Sequence, residues 1–388
     1  MSSGAVSQQY ASCCLAANAR ELAPLVADLA ALDSGEADSL PEVKLAGNTA
    51  ETFGARAGAA EAQAVAVFLA KRDDTELLDL SYNTLDDAGA KALATLLEDN
   101  KSLKELNLCG NDIGPEGAGR LCDALATAQG GGAGVLFLDL SCNPLGDTGG
   151  AAVARMLESN STLQLLNLSD TELGMQALVA IANALAGPNS ALKSVALDNG
   201  RIRSTQDEIA QHFARALACN DTLLHLRLGK LNIGDAGLGT LVDYGLTRNH
   251  ALTVLDLRCN RLTSTCAPVL KRLLQSCPAL EELCLANNRL GDEGAAAIAE
   301  GLESNDTLSW LELCCNGIND HGLTELAFAL AENQTAIGHL ALWGNAFGQT
   351  AGRAFAHVLA EIEELHTDFI IYADEDGQTV HVARGELA

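Results

Sequence analysis

The chain has 388 residues, with 51 acidic side chains against 24 basic ones and a formal net charge of −27. That balance argues against nucleic acid or an anionic membrane surface as a partner, and favours protein partners with basic surface. No run of about 20 apolar residues occurs, so no transmembrane helix is expected.

The first residues, MSSGAVSQQYASCC, lack a basic region followed by a long apolar one. No secretory signal is read there, and a cytoplasmic location is expected. Twelve cysteines are scattered without a CxxC pair or a zinc-like spacing, which suits reduced thiols and neither metal nor cofactor. Residues 1–39, including YASCCLAANARELAPLVADLAAL, read as a helical cap.

From residue 40 a nine-residue template, LxxLxLxxN, recurs every 28 to 35 residues. A weak first copy ends at Asn48. A less complete copy ends at Asn83, and full ones end at Asn111, Asn143, Asn260, Asn288, Asn316 and Asn345; three more place Thr171, Gly200 and Leu231 where the asparagine belongs. Alternation in LELCC predicts a short strand with Leu311 and Leu313 on one side. Downstream, Leu323, Leu326, Ala327 and Leu330 have helical spacing. Each repeat is therefore strand, turn, helix, turn. Every strand-to-strand connection passes through a helix, so the strands run parallel. Helices are wider than strand spacing, so the expected fold is an α/β horseshoe solenoid over residues 40–362, with strands lining the concave side.

The recurring asparagine is expected to satisfy backbone groups where the chain leaves the strand, forming a ladder broken between 171 and 231. Neutral drift or a change of curvature at a docking site would each account for the break. Asp147, Asp235 and Asp292 are placed to cap the starts of their own helices. The asparagines at 100, 160, 305 and 333 are placed to end helices in the left-handed conformation. Residues 363–388 form a tail in which FIIYADEDGQTVHVA reads as a hairpin around Asp376-Gly377.

The third, fifth and seventh template positions should face the concavity. They place Trp310, Glu312 and Cys314 there from one copy, and His339 and Trp343 from the next. These are the only tryptophans in the chain, and tryptophan is enriched in binding hot spots. They mark either a partner-binding patch or a surface that the tail hairpin folds over. Leu77, Phe137 and Leu165 form an apolar line interrupted by Glu105. Asp79, Asn107, Asp139 and Asn167 form an acidic and amide stripe suited to a basic amphipathic helix. His225, Arg227, Lys230 and Arg258 reverse the sign of the face in the middle; an unselected solvated face is the alternative. His339 stands alone among nearby histidines, so four converging metal ligands are not expected beside Cys314 and Cys315. No nucleotide, zinc-protease or nucleophile-elbow motif occurs, and no catalytic residues are assigned.

The 28–29-residue units, with LxxLxLxxN followed by LGDxGxxxLxxxLxxN, resemble the ribonuclease-inhibitor class of leucine-rich repeats over about residues 40–360. That class includes inhibitors, immune sensors, GTPase activators and ciliary proteins. With the added C-terminal strand pair, the chain is also similar to a ciliary group typified by leucine-rich repeat-containing protein 34. The resemblance implies a non-enzymatic scaffold, a structural or regulatory subunit of a cytoskeletal assembly such as the axoneme of a cilium or flagellum, near a radial spoke. Likeness in length and acidity to GTPase-activating proteins of the Ran type gives one alternative, although their long acidic tail is missing. A ribonuclease inhibitor is the other, although that family is richer in cysteine.

Overall fold

The computed structural model describes residues 5–127, 134–187, 189, 191–202, 207–277, 279–332, 336–362, 364–374 and 379–385. Two compact units divide the chain, residues 1–201 and 202–388.

The first unit begins with helices α1 (Val6–Ala17) and α2 (Ala23–Ser34). Strand and helix then alternate: β1 (Glu42–Lys44), α3 (Ala59–Leu69), β2 (Leu77–Asp79), α4 (Asp87–Asp99), β3 (Glu105–Asn107), α5 (Pro115–Thr127), β4 (Phe137–Asp139), α6 (Gly146–Ser159), β5 (Leu165–Asn167), α7 (Met175–Leu185) and β6 (Ser194–Ala196). The strands pair in parallel in chain order, with Leu78, Leu106, Leu138, Leu166 and Val195 in register and all buried. The row faces the helices, whose own leucines fill the layer between. Helix α1 closes the open end of that layer, its buried Tyr10 ring packing edge-on against Phe68 at 5.4 Å.

The second unit repeats the scheme: α8 (Asp207–Cys219), β7 (His225–Arg227), α9 (Asp235–Tyr244), β8 (Val254–Asp256), α10 (Ala267–Ser276), β9 (Glu282–Cys284), α11 (Gly291–Leu302), β10 (Trp310–Glu312), α12 (Asp320–Glu332), β11 (His339–Ala341), α13 (Gln349–Glu361) and β12 (His366–Thr367). Strands β7 to β12 pair in parallel in chain order. The sheet thus continues past residue 362 into the expected tail. Then β13 (Phe369–Ala373) and β14 (Val380–Arg384) form an antiparallel hairpin on α13. Phe369, Phe355 and Phe347 cluster with centroids 5.0 to 5.8 Å apart beneath it. The turn at Asp376-Gly377 lies outside the described residues.

The asparagine ladder forms as expected. Asn111 donates to Leu80 O and Leu108 O, both at 3.0 Å, and accepts from Leu85 N at 3.0 Å. Asn83, Asn143, Asn260, Asn288, Asn316 and Asn345 do the same, each joining its own turn to the preceding repeat. Thr171 keeps only the bond within its own repeat, to Leu168 O at 2.5 Å. The residue before each ladder position is left-handed: Tyr82, Cys142, Asp170, Asn199, Lys230, Cys259, Asn287 and Cys315 have φ between 54 and 61°, and Gly110 and Gly344 have 68 and 85°.

The expected left-handed helix stops at 100, 160 and 305 are corrected, since none of the three has a positive φ. Asn100 and Asn160 are extended, with φ/ψ of −81/138° and −75/130°, and do not stop their helices in the left-handed region. Their amides instead reach the previous repeat, Asn100 to Leu69 O at 3.0 Å and Asn160 to Leu125 O at 2.9 Å. Asn189, Asn249 and Asn305 repeat the bond to Leu157 O, Leu217 O and Leu274 O. The signal of this second ladder is the phrase N-x-x-L ahead of the strand, at 100–103, 160–163, 189–192, 249–252 and 305–308. Residue 333 lies outside the described residues.

The aspartates of the LGDxG phrases also act between repeats. Asp147 accepts from Gly174 N at 3.1 Å and Ala177 N at 3.0 Å, capping the helix of the following repeat rather than its own. Asp235 accepts from Thr263 N at 2.8 Å, and Asp292 from Asn319 N at 2.6 Å. Because the carboxylate occupies the space a side chain would fill, Gly174 is required: a Cβ there would stand 2.6 Å from Asp147 Oδ2.

Candidate protein-interaction site

In the second unit the buried Leu311 turns its neighbours Trp310 and Glu312 to the face opposite the helices. Register then sets Glu282, Trp310, His339 and His366 side by side on β9 to β12. The Trp310 and His339 rings stack at 4.3 Å and 14°, and His339 and His366 at 4.9 Å and 21°. His339 is therefore not alone, as the sequence suggested. Its companion comes from β12, the strand hidden in the tail.

Trp343 lies just beyond β11. Its backbone N–H donates to Asp368, at 3.1 Å from Oδ1 and 3.0 Å from Oδ2, and Leu342 N donates to Oδ1 at 2.7 Å. Cys314 Sγ donates to Asp368 Oδ2 at 3.0 Å. Burial first, and then this carboxylate, push the Cys314 thiol well above its ordinary range. Trp310, Trp343, Glu312, Cys314, Asp368 and Arg384 line one recess of about 850 Å³. Both tryptophans are half-buried. Among the described residues, the end of the hairpin supplies a wall and does not cover them.

Two of the four residues expected to reverse the charge of the face, Arg227 and Arg258, are already paired. Arg258 Nε lies 2.7 Å from Asp256 Oδ2 and its guanidinium 3.3 Å from Glu312 Oε2, while Arg227 Nε lies 3.6 Å from Asp256. The Asp256 side chain is only 5% exposed, so the two arginines compensate a carboxylate taken out of water. They do not present a free positive zone.

In the first unit, register aligns Leu77, Glu105, Phe137 and Leu165 on β2 to β5. Leu165 is 40% exposed; Leu77 and Phe137 are half-buried. The stripe beside them has local work. Asp79 accepts from Ser81 N at 2.8 Å, Asn107 from Cys109 N at 3.1 Å, and Asp139 from Ser141 N at 2.8 Å. Asn167 links across to Asp139 Oδ2 at 3.0 Å. Each side chain turns the backbone out of the strand, an Asx turn.

A stacked aromatic row beside an open recess suits contact with a partner side chain or backbone. Among the described residues no cluster of three or more histidine, cysteine, aspartate or glutamate side chains is arranged to hold a metal ion. Among them too, no helix is long and apolar enough to cross a membrane.

A leucine-rich-repeat family model matches residues 76–94, 99–122, 135–154, 248–265 and 276–299. NACHT, LRR and PYD domains-containing protein 3 of Bos taurus is 30% identical over 259 residues, covering 53% of this chain and 25% of that protein. Protein 5 of the same series from Bos taurus is 32% identical over 214 residues, covering 54% and 19%. The ribonuclease inhibitor of Sus scrofa is 28% identical over 266 residues, covering 55% of this chain and 58% of that protein. In each case the match spans less than two thirds of the relative's own length. An internalin of Listeria monocytogenes aligns over 84% of this chain at 15% identity with a TM-score of 0.41, too loose a match to carry functional weight.

Proposed function

We propose that this chain, a leucine-rich-repeat protein of the ribonuclease-inhibitor type, is a non-enzymatic scaffold that holds a protein partner on the strand face of its second unit. One observation carries the reading: the only two tryptophans of 388 residues are half-buried and line one recess. Packing explains neither, because the core beneath them is closed by Leu311, Leu313, Leu340 and Leu342. Truncation of such aromatic anchors typically costs about 2 kcal/mol or more of binding each.

The test is a pull-down of the tagged chain from native extract across a salt series, beside the Trp310→Ala/Trp343→Ala variant. A partner retained by the wild type and lost by the variant, with far-UV circular dichroism unchanged, supports the recess. A variant that keeps every interaction sinks it. The finer reading, a subunit of a ciliary axoneme, draws on the tail hairpin alone. It calls for a fixed-stoichiometry cytoskeletal assembly that survives high salt. Similarity to the Sus scrofa ribonuclease inhibitor favours a second reading, inhibition of a ribonuclease. A ribonuclease assay with the purified chain decides it: no inhibition at micromolar chain removes that reading. A single small GTPase recovered instead, and released as salt rises, would point to an activator.

A further inference from the structure

On the helix side of the second unit, a trough of about 470 Å³ runs between α8 and α9. We propose that it docks an acidic peptide segment of a protein partner, one carrying an aliphatic or aromatic anchor. Its floor is Ala214 and Ala218 of α8. Its far wall is Tyr244 of α9, 61% exposed. Arg215 and Arg248 stand on its rims.

The trough exists because α9 is short. It has ten residues, and the chain turns at Gly245 into a 3-10 turn, Leu246–Arg248. A Cβ on Gly245 would stand 2.9 Å from Ala214 Cα, so the end of α9 seats its backbone directly on α8. The turn then carries Arg248 to the rim.

Charge identifies the occupant. Helices α4, α6, α11 and α12 carry acids at or just past their last residues: Glu98 and Asp99, Glu158, Glu303, and Glu332. The matching places here hold Ala218 and Cys219 on α8, and Thr247 and Arg248 after α9. The basic residues of neighbouring α10 are already used, Lys271 with Glu300 at 2.7 Å and Arg272 with Asp243 at 2.8 Å. Neither Arg215 nor Arg248 has an acidic partner among the described residues. In a chain of net charge −27, two unpaired guanidinium groups flanking an apolar floor select carboxylates on either side of an apolar side chain. This surface is separate from the strand-face recess and does not depend on it.

A phage-displayed library of dodecamer peptides, panned on the immobilised full chain, tests the proposal. Enriched peptides should place Asp or Glu on both sides of a Leu, Ile, Phe or Trp. The synthetic winner should lose affinity about tenfold or more on Arg215→Glu/Arg248→Glu. It should also weaken with added salt and on Tyr244→Ala, and bind Trp310→Ala/Trp343→Ala as it binds the wild type. Arg215, Tyr244 and Arg248 are all exposed, and circular dichroism checks that every variant folds. Winners without acidic bias, winners that bind the charge-reversed chain equally, or no enrichment at all would each overturn it.

Discussion

Asn288 offers a direct measurement of what the asparagine ladder contributes. It is 5% exposed. Its Nδ2 donates to Leu257 O at 3.1 Å and Leu285 O at 2.9 Å, and its Oδ1 accepts from Leu262 N at 3.1 Å. Each carbonyl has a second donor: Leu257 O takes Asn260 Nδ2 at 2.9 Å, and Leu285 O takes Asn316 Nδ2 at 3.0 Å. Asn288→Ala therefore leaves both carbonyls served once but strands the N–H of the buried Leu262. The stranded N–H costs about 1–3 kcal/mol and each of the two donated bonds about 1 kcal/mol, so a loss of about 3–5 kcal/mol is expected. In the double variant with Asn316→Ala, Leu285 O loses both donors. The combined loss should exceed the sum of the singles by about 1–3 kcal/mol. Asn260 and Asn316 share no carbonyl. That pair should add to within about 0.5 kcal/mol. Urea unfolding by circular dichroism gives the energies. Hydrogen exchange at the Leu262 amide is read beside it, because a solenoid can open repeat by repeat. Equal additivity in both pairs, or a single variant within about 0.5 kcal/mol of wild type, would refute the reasoning.

Asp320 caps the following helix by accepting from Gly348 N at 3.0 Å and Ala351 N at 2.8 Å. Burial pulls its pKa up, but the N–H bonds from Ala351, Thr350 and Gly348 and the Thr350 hydroxyl outweigh it and hold it below its ordinary 3.8. The folded state thus favours the charged form. Its contribution is present above about pH 4 and is lost as pH falls through the depressed value. Asp320→Ala should cost about 1 kcal/mol at pH 7, by thermal melting, and less at pH 3. Gly348→Ala puts a Cβ 2.5 Å from the Asp320 carboxyl carbon, and should cost less in the Asp320→Ala background than alone. Burial pushes the thiols of Cys122, Cys266 and Cys277 up to about 12. At pH 8 they should resist Ellman's reagent in the native chain, while exposed Cys219, Cys259 and Cys315 react at once. Equal rates for the two groups would count against the packing described.

Strand, helix and first ladder were legible because each depends on one repeat's own spacing. The second ladder and the aspartate caps were not, because both are bonds between repeats. Asn160 and Asp147 look from their own segments like a helix stop and a helix start. Only the neighbour's Leu125 O or Gly174 N gives the side chain its actual partner. Strand β12 hid for a different reason. Its register places Thr367 beside Leu340, where the template requires an aliphatic residue. With β12 went His366 and hence the aromatic row. The arginines misled because charge on a face is read from sequence as free charge, while Asp256 and Glu312 lie within reach of Arg258.

The template that explains the fold also isolates what the fold leaves unexplained. On the strand face, the fifth position is committed to turning the chain wherever it holds Asp or Asn: Asp79, Asn107, Asp139, Asn167 and Asp256 each accept from the N–H two residues on. The third position has no such duty, and there the apolar line of Leu77, Phe137 and Leu165 and the row of Trp310 and His339 occur. Stability and binding should therefore separate by position. Asp139→Ala loses the bonds from Ser141 N at 2.8 Å and Asn167 Nδ2 at 3.0 Å, and should cost about 1–2 kcal/mol in urea unfolding. Leu165→Ser, two strand positions before Asn167 and 40% exposed, should shift stability by no more than about 0.5 kcal/mol. If Leu165→Ser destabilised as much as Asp139→Ala, the third position would be structural after all. Its apolar residues would then be no guide to where a partner sits.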